Sequence, residues 1–220
     1  MTGFTGFGEY AVDFYDGLLA DNSKSYWTDH RDIYESDVRA PMEALLSELA
    51  GSGQEFADFG RTKVFRPYRD VRFAKDKTPY KTHCGGVVEQ ARGGGACYVQ
   101  VGPEGLRVAG GSFHMAPAQL ARYRAAVDDA RRGEELADIL VTLEKQGFEV
   151  RGHQLRTAPR GFIKDHPRIE LLRYRSVWAG REYPPDDALH ERATLTRVRE
   201  GWRALRPLNE WAADHVGMPD

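Results

Sequence analysis

A connection of only four residues separates two apolar-rich stretches in the middle of the chain. The first stretch ends at Val101 and the second begins at Leu106, with Gly-Pro-Glu-Gly between them. Proline favours an early turn position and glycine favours a left-handed one, so the connection predicts a tight turn. Because parallel strands need a crossover of a dozen or more residues, the two stretches are predicted to form an antiparallel hairpin.

Helical patterns lie on both sides of this strand-rich region. Between residues 38 and 49, apolar side chains recur at the spacing of a buried helix face. These side chains are Val38, Met42, Leu45, Leu46 and Leu49. Pro41 interrupts the pattern, so we expect a kink or a short break near Ala40. A further helix near the C-terminus is expected to close at Pro207.

These patterns predict a single α+β domain spanning residues 1–220. A central, mostly antiparallel sheet is expected to be packed by N-terminal and C-terminal helices. The helical region is 7–50, the strand-rich region is 56–111, and 116–215 is helical with return strands. Residues 65–73 are predicted to form a strand, and Gly93-Gly94-Gly95 a flexible hairpin tip.

Composition excludes several classes of protein. Apolar residues make up 41% of the 220, charged residues 29%, and the net charge is −2, which excludes a disordered chain and gives no global field toward DNA. No apolar run approaches the ~20 residues of a membrane-spanning helix, and no secretory signal is visible. Cys84 and Cys97 are too few for a disulfide scaffold. We expect a soluble, cytoplasmic protein with no membrane partner and no cofactor.

One segment, residues 61–83, concentrates positive charge. It holds eight basic and two acidic residues, a net charge of +6, so the rest of the chain carries −8. A cluster of one sign repels itself unless something negative compensates it. The segment is therefore the main candidate for an anion site. The candidate anion-binding residues are Arg66, Arg69, Arg72, Lys75, Lys77 and Lys81.

A strand over residues 65–73 would direct alternate side chains to opposite faces. The core face would hold Phe65, Arg69, Val71 and Phe73. The other face would hold Arg66, Tyr68, Asp70 and Arg72. Two arginines on one face predict a fork for a carboxylate or phosphate, since guanidinium donors match such groups bidentately. Asp70 and His83 are the candidate catalytic residues, as proton-transfer groups.

The same segment carries a family resemblance. Residues 66–80 match the pattern R-x-x-R-D-x-R-F-x-x-[DN]-K-x-x-Y at all eight fixed positions. This pattern resembles the defining motif of a chiefly bacterial and fungal family, domain of unknown function 2461. Residues 18–27 (LLADNSKSYW) are similar to an early landmark of that family, and Gly110-Gly111, 159–162 and 165–167 to later ones. The family has no assigned reaction, so the resemblance implies kinship without a mechanism.

A second set of residues is predicted to support the site. These residues are Asp76, Tyr80, Arg160, Asp165 and His166. The last three lie in a proline- and glycine-rich loop, where specific polar residues often serve function. The alternative is a turn in which Asp165 caps a short helix beginning at Pro167. No spacing of His and Cys predicts a metal site.

Three hypotheses of function remain open from the sequence, which does not decide whether the protein is an enzyme. The first is a small enzyme or ligand-binding protein with an anion site for a phosphorylated or carboxylated small molecule on residues 66–81. The alternative is a non-catalytic binding module for nucleic-acid backbone or an acidic protein. The third is a structural domain whose charges form an internal ion-pair network. A closed pocket would favour the first, and an open surface the second.

Overall fold

The computed structural model describes residues 3–219. Its N-terminal part contains helices α1 (Ala11–Ala20), α2 (Lys24–Asp29), α3 (Arg31–Ile33) and α4 (Ala40–Ala50), with a π-helical turn, Tyr34–Arg39, between α3 and α4. Strands β1 (Thr62–Val64), β2 (Cys84–Glu89), β3 (Ala96–Gly102) and β4 (Gly105–Ser112) follow. The rest comprises α5 (Pro117–Asp128), α6 (Ala130–Lys145), β5 (Glu149–Arg151), α7 (Ile169–Leu172), β6 (Val177–Tyr183), a 3₁₀ turn (Asp187–His190) and α8 (Ala193–His215).

Within residues 3–219 the strands form one six-stranded antiparallel sheet in the order β1-β2-β3-β4-β6-β5. Lys63 pairs with Val87 at one edge, and Val150 pairs with Ala179 at the other. Gly105 has a φ of +87° at the end of the turn between β3 and β4, as a left-handed turn position requires. The α+β prediction and the central hairpin are confirmed.

The chain divides into two compact units. Unit 1 comprises residues 3–88, 98–108 and 182–200, and unit 2 comprises 89–97, 109–181 and 201–219. Among the helices of residues 3–219, none has an apolar stretch long enough to cross a lipid bilayer.

In unit 1, helix α4 packs its apolar face on strand β2. A Cβ built on Gly86 would lie 2.9 Å from the sulfur of Met42 and 3.0 Å from Leu46. Glycine therefore lets the helix approach the strand closely. Because side chains alternate along a strand, the neighbouring Gly85 faces the opposite way, toward the Tyr98 hydroxyl.

The break expected near Ala40 takes the form of the π-helical turn. The Ala40 amide donates to the Glu35 carbonyl, five residues back. Pro41 has no N–H to offer the carbonyl of Asp37 four residues earlier. That carbonyl accepts instead from the Gly8 amide, at 2.8 Å. The π turn thus ties the segment before α1 to the helical region.

In unit 2, the glycine run at residues 93–95 packs against α8 rather than forming a flexible tip. Gly94 has a φ of +81°, and a Cβ there would collide with the Ala212 carbonyl. The fully buried Asn209 side chain accepts from the Gly111 amide at 3.1 Å and donates to the Cys97 sulfur at 3.5 Å. The expectation of a flexible tip is wrong because these glycines are needed for close packing.

Two other sequence expectations are also wrong. Strand β1 ends at Val64, and residues 65–73 form an irregular loop, since Pro67 removes a backbone donor and the density of like charges opposes a regular ladder. Helix α8 continues through Pro207 to His215 instead of closing there. Strand β6, which lies between β4 and β5, was not predicted.

Candidate anion-binding loop

Residues 65–83, here called the basic loop, join β1 to β2 and belong to unit 1. Two backbone hydrogen bonds close the loop on itself. The Arg69 amide donates to the Pro79 carbonyl and the Lys81 amide to the Pro67 carbonyl, both at 2.8 Å. Tyr68 and Tyr80 form an isolated antiparallel bridge between these contacts. The loop is therefore a short hairpin-like arm and not a strand of the sheet.

The arm is anchored through Tyr80. The Asn22 side-chain amide donates to the Tyr80 carbonyl at 3.1 Å, and its oxygen accepts from the Tyr80 amide at 3.0 Å. The Tyr80 ring is 5% exposed and stacks on Trp27, with ring centres 4.5 Å apart and planes 10° apart. Two of the sequence segments that carry the family resemblance, 18–27 and 66–80, therefore meet in space.

Arg69 and Asp76 brace the turn at the far side of the arm. The Arg69 guanidinium lies 2.6 Å from the Asp76 carboxylate, donates to the Thr78 carbonyl at 3.1 Å and contacts the Thr78 hydroxyl. The Asp76 carboxylate also accepts from the Thr78 amide at 2.9 Å. The hydrogen bond from the Thr78 amide, together with those from Arg69 and the Thr78 hydroxyl, lowers the pKa of Asp76 to about 2. The contacts of Arg69 and Asp76 lie within the loop.

Asp70 pairs with Arg72 in a bidentate contact. Nε and Nη2 of Arg72 donate to the two carboxylate oxygens at 2.9 and 2.7 Å. These bonds, and one from the Arg72 amide, hold the pKa of Asp70 below its usual range. A carboxylate with a lowered pKa is a weak proton acceptor. The geometry therefore supports a charge-pairing role for Asp70 more than a catalytic one.

The remaining cations of the basic loop differ in their contacts. The Lys77 ammonium donates to the Val71 carbonyl at 2.8 Å, and the Lys81 ammonium donates to the Arg66 carbonyl at 2.9 Å. Across residues 3–219, the side chains of Arg66 and Lys75 make no ion pair. Positive charge is thus left uncompensated on the surface of the loop.

The aromatic side chains of the loop do not all face the core. Phe73, expected on the core face, is 97% exposed, and Tyr68 is 50% exposed. The expectation failed because it rested on strand alternation, which the irregular loop does not follow. Phe73 instead stands in solvent beside Arg72.

Arg160, Asp165 and His166 belong to unit 2, whereas the basic loop belongs to unit 1. Arg160 and Asp165 are exposed. The His166 imidazole accepts from the Arg168 amide at 3.0 Å and lies 3.1 Å from the Asp128 carboxylate. The Arg168 guanidinium donates to the Asp128 carbonyl at 2.9 Å. His166 and Arg168 thus help to close the C-terminal end of α5, where helix carbonyls lack helix partners.

The helix expected to begin at Pro167 with Asp165 as its cap is not formed. Helix α7 begins at Ile169, and Arg168, the residue before it, makes no side-chain capping bond. The Ile169 amide donates to the His166 carbonyl at 3.0 Å, so a backbone turn takes the place of the cap.

His83 lies at the end of the basic loop, directly before β2. It is half-buried, and burial, Lys81 and Arg107 lower the pKa of its imidazole. Arg107, on β4, and Tyr98, on β3, were not among the predicted site residues. The alternation of Tyr98, Gln100 and Arg107 with buried apolar residues is the sequence signal that points to this polar sheet face.

Comparison with known proteins assigns the chain to a family. A family model described as "Conserved hypothetical protein (DUF2461)" matches residues 10–211, so the chain belongs to that family. No curated protein and no solved structure matches the chain. Within residues 3–219, no group of three or more His, Cys, Asp or Glu side chains is arranged to hold a metal ion.

Proposed function

We propose that the basic loop binds the backbone of single-stranded nucleic acid. The observation that carries the proposal is the 97% exposure of Phe73 beside Arg72, on an arm with uncompensated positive charge. Proteins that bind single strands without sequence preference combine a basic surface with aromatic rings on which bases stack. An open arm of this kind offers such a surface.

The internal bracing of the loop supports the proposal. Arg69, Asp76 and Thr78 hold the turn, and Asn22 holds the arm at Tyr80. A braced loop loses less conformational freedom when it binds, so more of the interaction energy appears as affinity.

The charge of the remainder of the chain sets the expected strength. The net charge of −8 on the chain outside residues 61–83 repels a polyanion, so binding is expected to be weak at physiological salt. Affinity should fall steeply as salt rises from about 50 to about 200 mM, because each neutralised phosphate releases counterions.

Fluorescence anisotropy with a labelled oligothymidylate tests the proposal. Phe73→Ala should weaken binding by about 1–3 kcal/mol while leaving the salt slope unchanged, the signature of lost stacking. Arg72→Ala should lower the slope by about one. The matched controls are Ile163→Ala and Arg156→Ala, which remove an exposed apolar and an exposed basic side chain in unit 2.

Three results would refute the proposal. The first is binding that resists salt. The second is equal affinity of the loop variants and their controls. The third is equal or tighter binding to polyglutamate, which would instead indicate an acidic protein partner.

A further inference from the structure

The second polar cluster of unit 1 surrounds His83 on the sheet face opposite to helix α4. Gly86 faces α4. Because side chains alternate along a strand, Gly85 and His83, two residues before it, point away from that helix. A Cβ built on Gly102 would lie 3.2 Å from the Cβ of His83, and one built on Gly85 would lie 2.7 Å from the Tyr98 hydroxyl. Because glycine has no side chain, Gly102 and Gly85 do not fill the space beside His83 and the Tyr98 hydroxyl.

Cations converge on this face. The Lys63 and Lys81 ammonium groups lie 5.4 and 5.3 Å from the centre of the Phe65 ring. Burial, and then the charges of Arg66 and Lys63, lower the pKa of the Lys81 ammonium group. Arg107 pairs with Glu182 at 2.6 Å, so its charge is compensated. Lys63, Arg66 and Lys81 leave a net positive charge that no ion pair within residues 3–219 compensates.

His83 stands among these charges with an open hydrogen-bonding capacity. Within the described part of the chain, its imidazole makes no hydrogen bond and no ion pair. A half-buried imidazole with a lowered pKa is neutral at pH 7 and presents one N–H donor and one acceptor. The Tyr98 hydroxyl, which donates to Gln100 at 2.8 Å, and the Phe65 ring, 6.4 Å from that of Tyr98, lie on the same face.

We propose that His83, Lys63 and Lys81 form a binding site for a small phosphate monoester. The two ammonium groups would offset the phosphoryl charge, and the imidazole N–H would donate to one of its oxygens. The Phe65 and Tyr98 rings would contact the organic part of the ester. A dianion fits the surplus of positive charge better than a monocarboxylate does. This inference does not rest on nucleic-acid binding, because it uses neither Arg72 nor Phe73.

The test is an NMR titration of the ¹⁵N-labelled full chain, in which the imidazole resonances are followed as inorganic phosphate or methyl phosphate is added. We expect saturable shifts at His83, a rise in its pKa on saturation, and no saturable shift at the exposed His114 and His153. The charged groups that act on His83 are Lys81 and Arg107. Lys63 and Arg66 act in turn on Lys81, Glu182 pairs with Arg107, and Arg107 acts on Tyr98.

Charge-removing variants complete the test. Lys63→Met and Lys81→Met should each weaken phosphate binding about 10-fold, whereas Lys145→Met in unit 2 should not change it. Lys63 is exposed, so its variant remains informative even if Lys81→Met unfolds. Parallel, unsaturated shifts of all histidines, or equal binding by Lys63→Met and Lys145→Met, would overturn the proposal. The chain carrying Arg72→Ala and Phe73→Ala should retain the phosphate site, so failure of one proposal is distinguishable from failure of the other.

Discussion

At the scale of single residues, Asn22 contributes more than its position in a connection between helices suggests. Its side chain makes two hydrogen bonds to the backbone of Tyr80, 58 positions later. Ser23, the next residue, caps α2 by accepting from the Tyr26 amide. The asparagine thus joins distant parts of the chain, while its neighbour has a local role.

Replacement of Asn22 measures the strength of this anchor. Asn22→Ala leaves the Tyr80 amide and carbonyl without their partners, so the free energy of unfolding should fall by about 1–3 kcal/mol. Asn22→Asp keeps an acceptor for the Tyr80 amide and should cost less. Urea unfolding followed by tryptophan fluorescence gives both values. An unchanged midpoint for Asn22→Ala would show that the arm does not depend on this contact.

For the exposed ion pair of Asp70 and Arg72, in contrast to Asn22, we expect little effect on stability. Ion pairs in solvent contribute little to stability, so Asp70→Asn should leave the unfolding midpoint nearly unchanged. It should also strengthen oligothymidylate binding, because it removes a negative charge from the loop. Asp76→Asn is the contrasting variant, since its carboxylate braces the turn, and it should weaken binding. Weaker binding by Asp70→Asn would contradict the proposed charge-pairing role.

At the scale of elements, the sequence predicted the turns and breaks that depend on residues close together in the chain. The turn between β3 and β4 depends on Pro103 and Gly105, and the break near Ala40 on Pro41, each of which acts on its own backbone. Strand β6 was missed because its apolar residues are followed at once by Arg181 and Glu182, so alternation is short. The end of α8 was misplaced because a proline inside a helix can be tolerated when the flanking turns are packed.

The candidate site likewise combines features that the sequence predicts with features that it does not. The motif spacing and the concentration of positive charge identified the basic loop. The exposure of Phe73 was not predictable, since it depends on where β1 ends. The contacts of Tyr98 and Arg107 near His83 depend on strand pairing between distant segments, which no local pattern records.

Substitutions at two glycines distinguish the cost of backbone strain from the cost of disturbed packing. Gly53 and Gly94 have φ values of +79° and +81°, but nothing lies within 4 Å of a Cβ at Gly53. Gly53→Ala should therefore cost about 1–2 kcal/mol, the penalty of a left-handed conformation alone. Gly94→Ala should cost clearly more, because the new methyl group meets the Ala212 carbonyl of α8. Thermal unfolding of both variants tests this, and equal losses would refute the packing argument.

At the scale of the whole molecule, stability should depend on pH through groups spread over both units. The pKa values of Glu48, Asp76, Asp129 and Asp186 are lowered by arginine partners and backbone amides. A carboxyl group whose pKa is lower in the folded state stabilises above its unfolded pKa, about 4, and loses this effect as the pH falls. The main loss of stability is therefore expected between about pH 4 and pH 2.

His83 adds a smaller effect at higher pH. Its pKa is lowered in the folded state, so below about 6.5 the unfolded chain binds the proton first, and stability begins to fall. Thermal midpoints measured from about pH 8 to 2 should show a shallow decline below about 6.5 and a steeper one below about 4. His83→Gln should remove the shallow phase only. A midpoint that rises between pH 7 and 5 would contradict this assignment.

The π-helical turn at Tyr34–Arg39 makes the N-terminal helices sensitive to chain length. A π turn holds one residue more than an α turn, and one residue corresponds to about 100° of rotation about the helix axis. Deleting one residue there would restore a regular helix and rotate α2 and α3 relative to α4. Trp27 would then leave the ring of Tyr80, and the basic loop would lose its support. A single-residue deletion in this stretch would therefore put the helices out of phase.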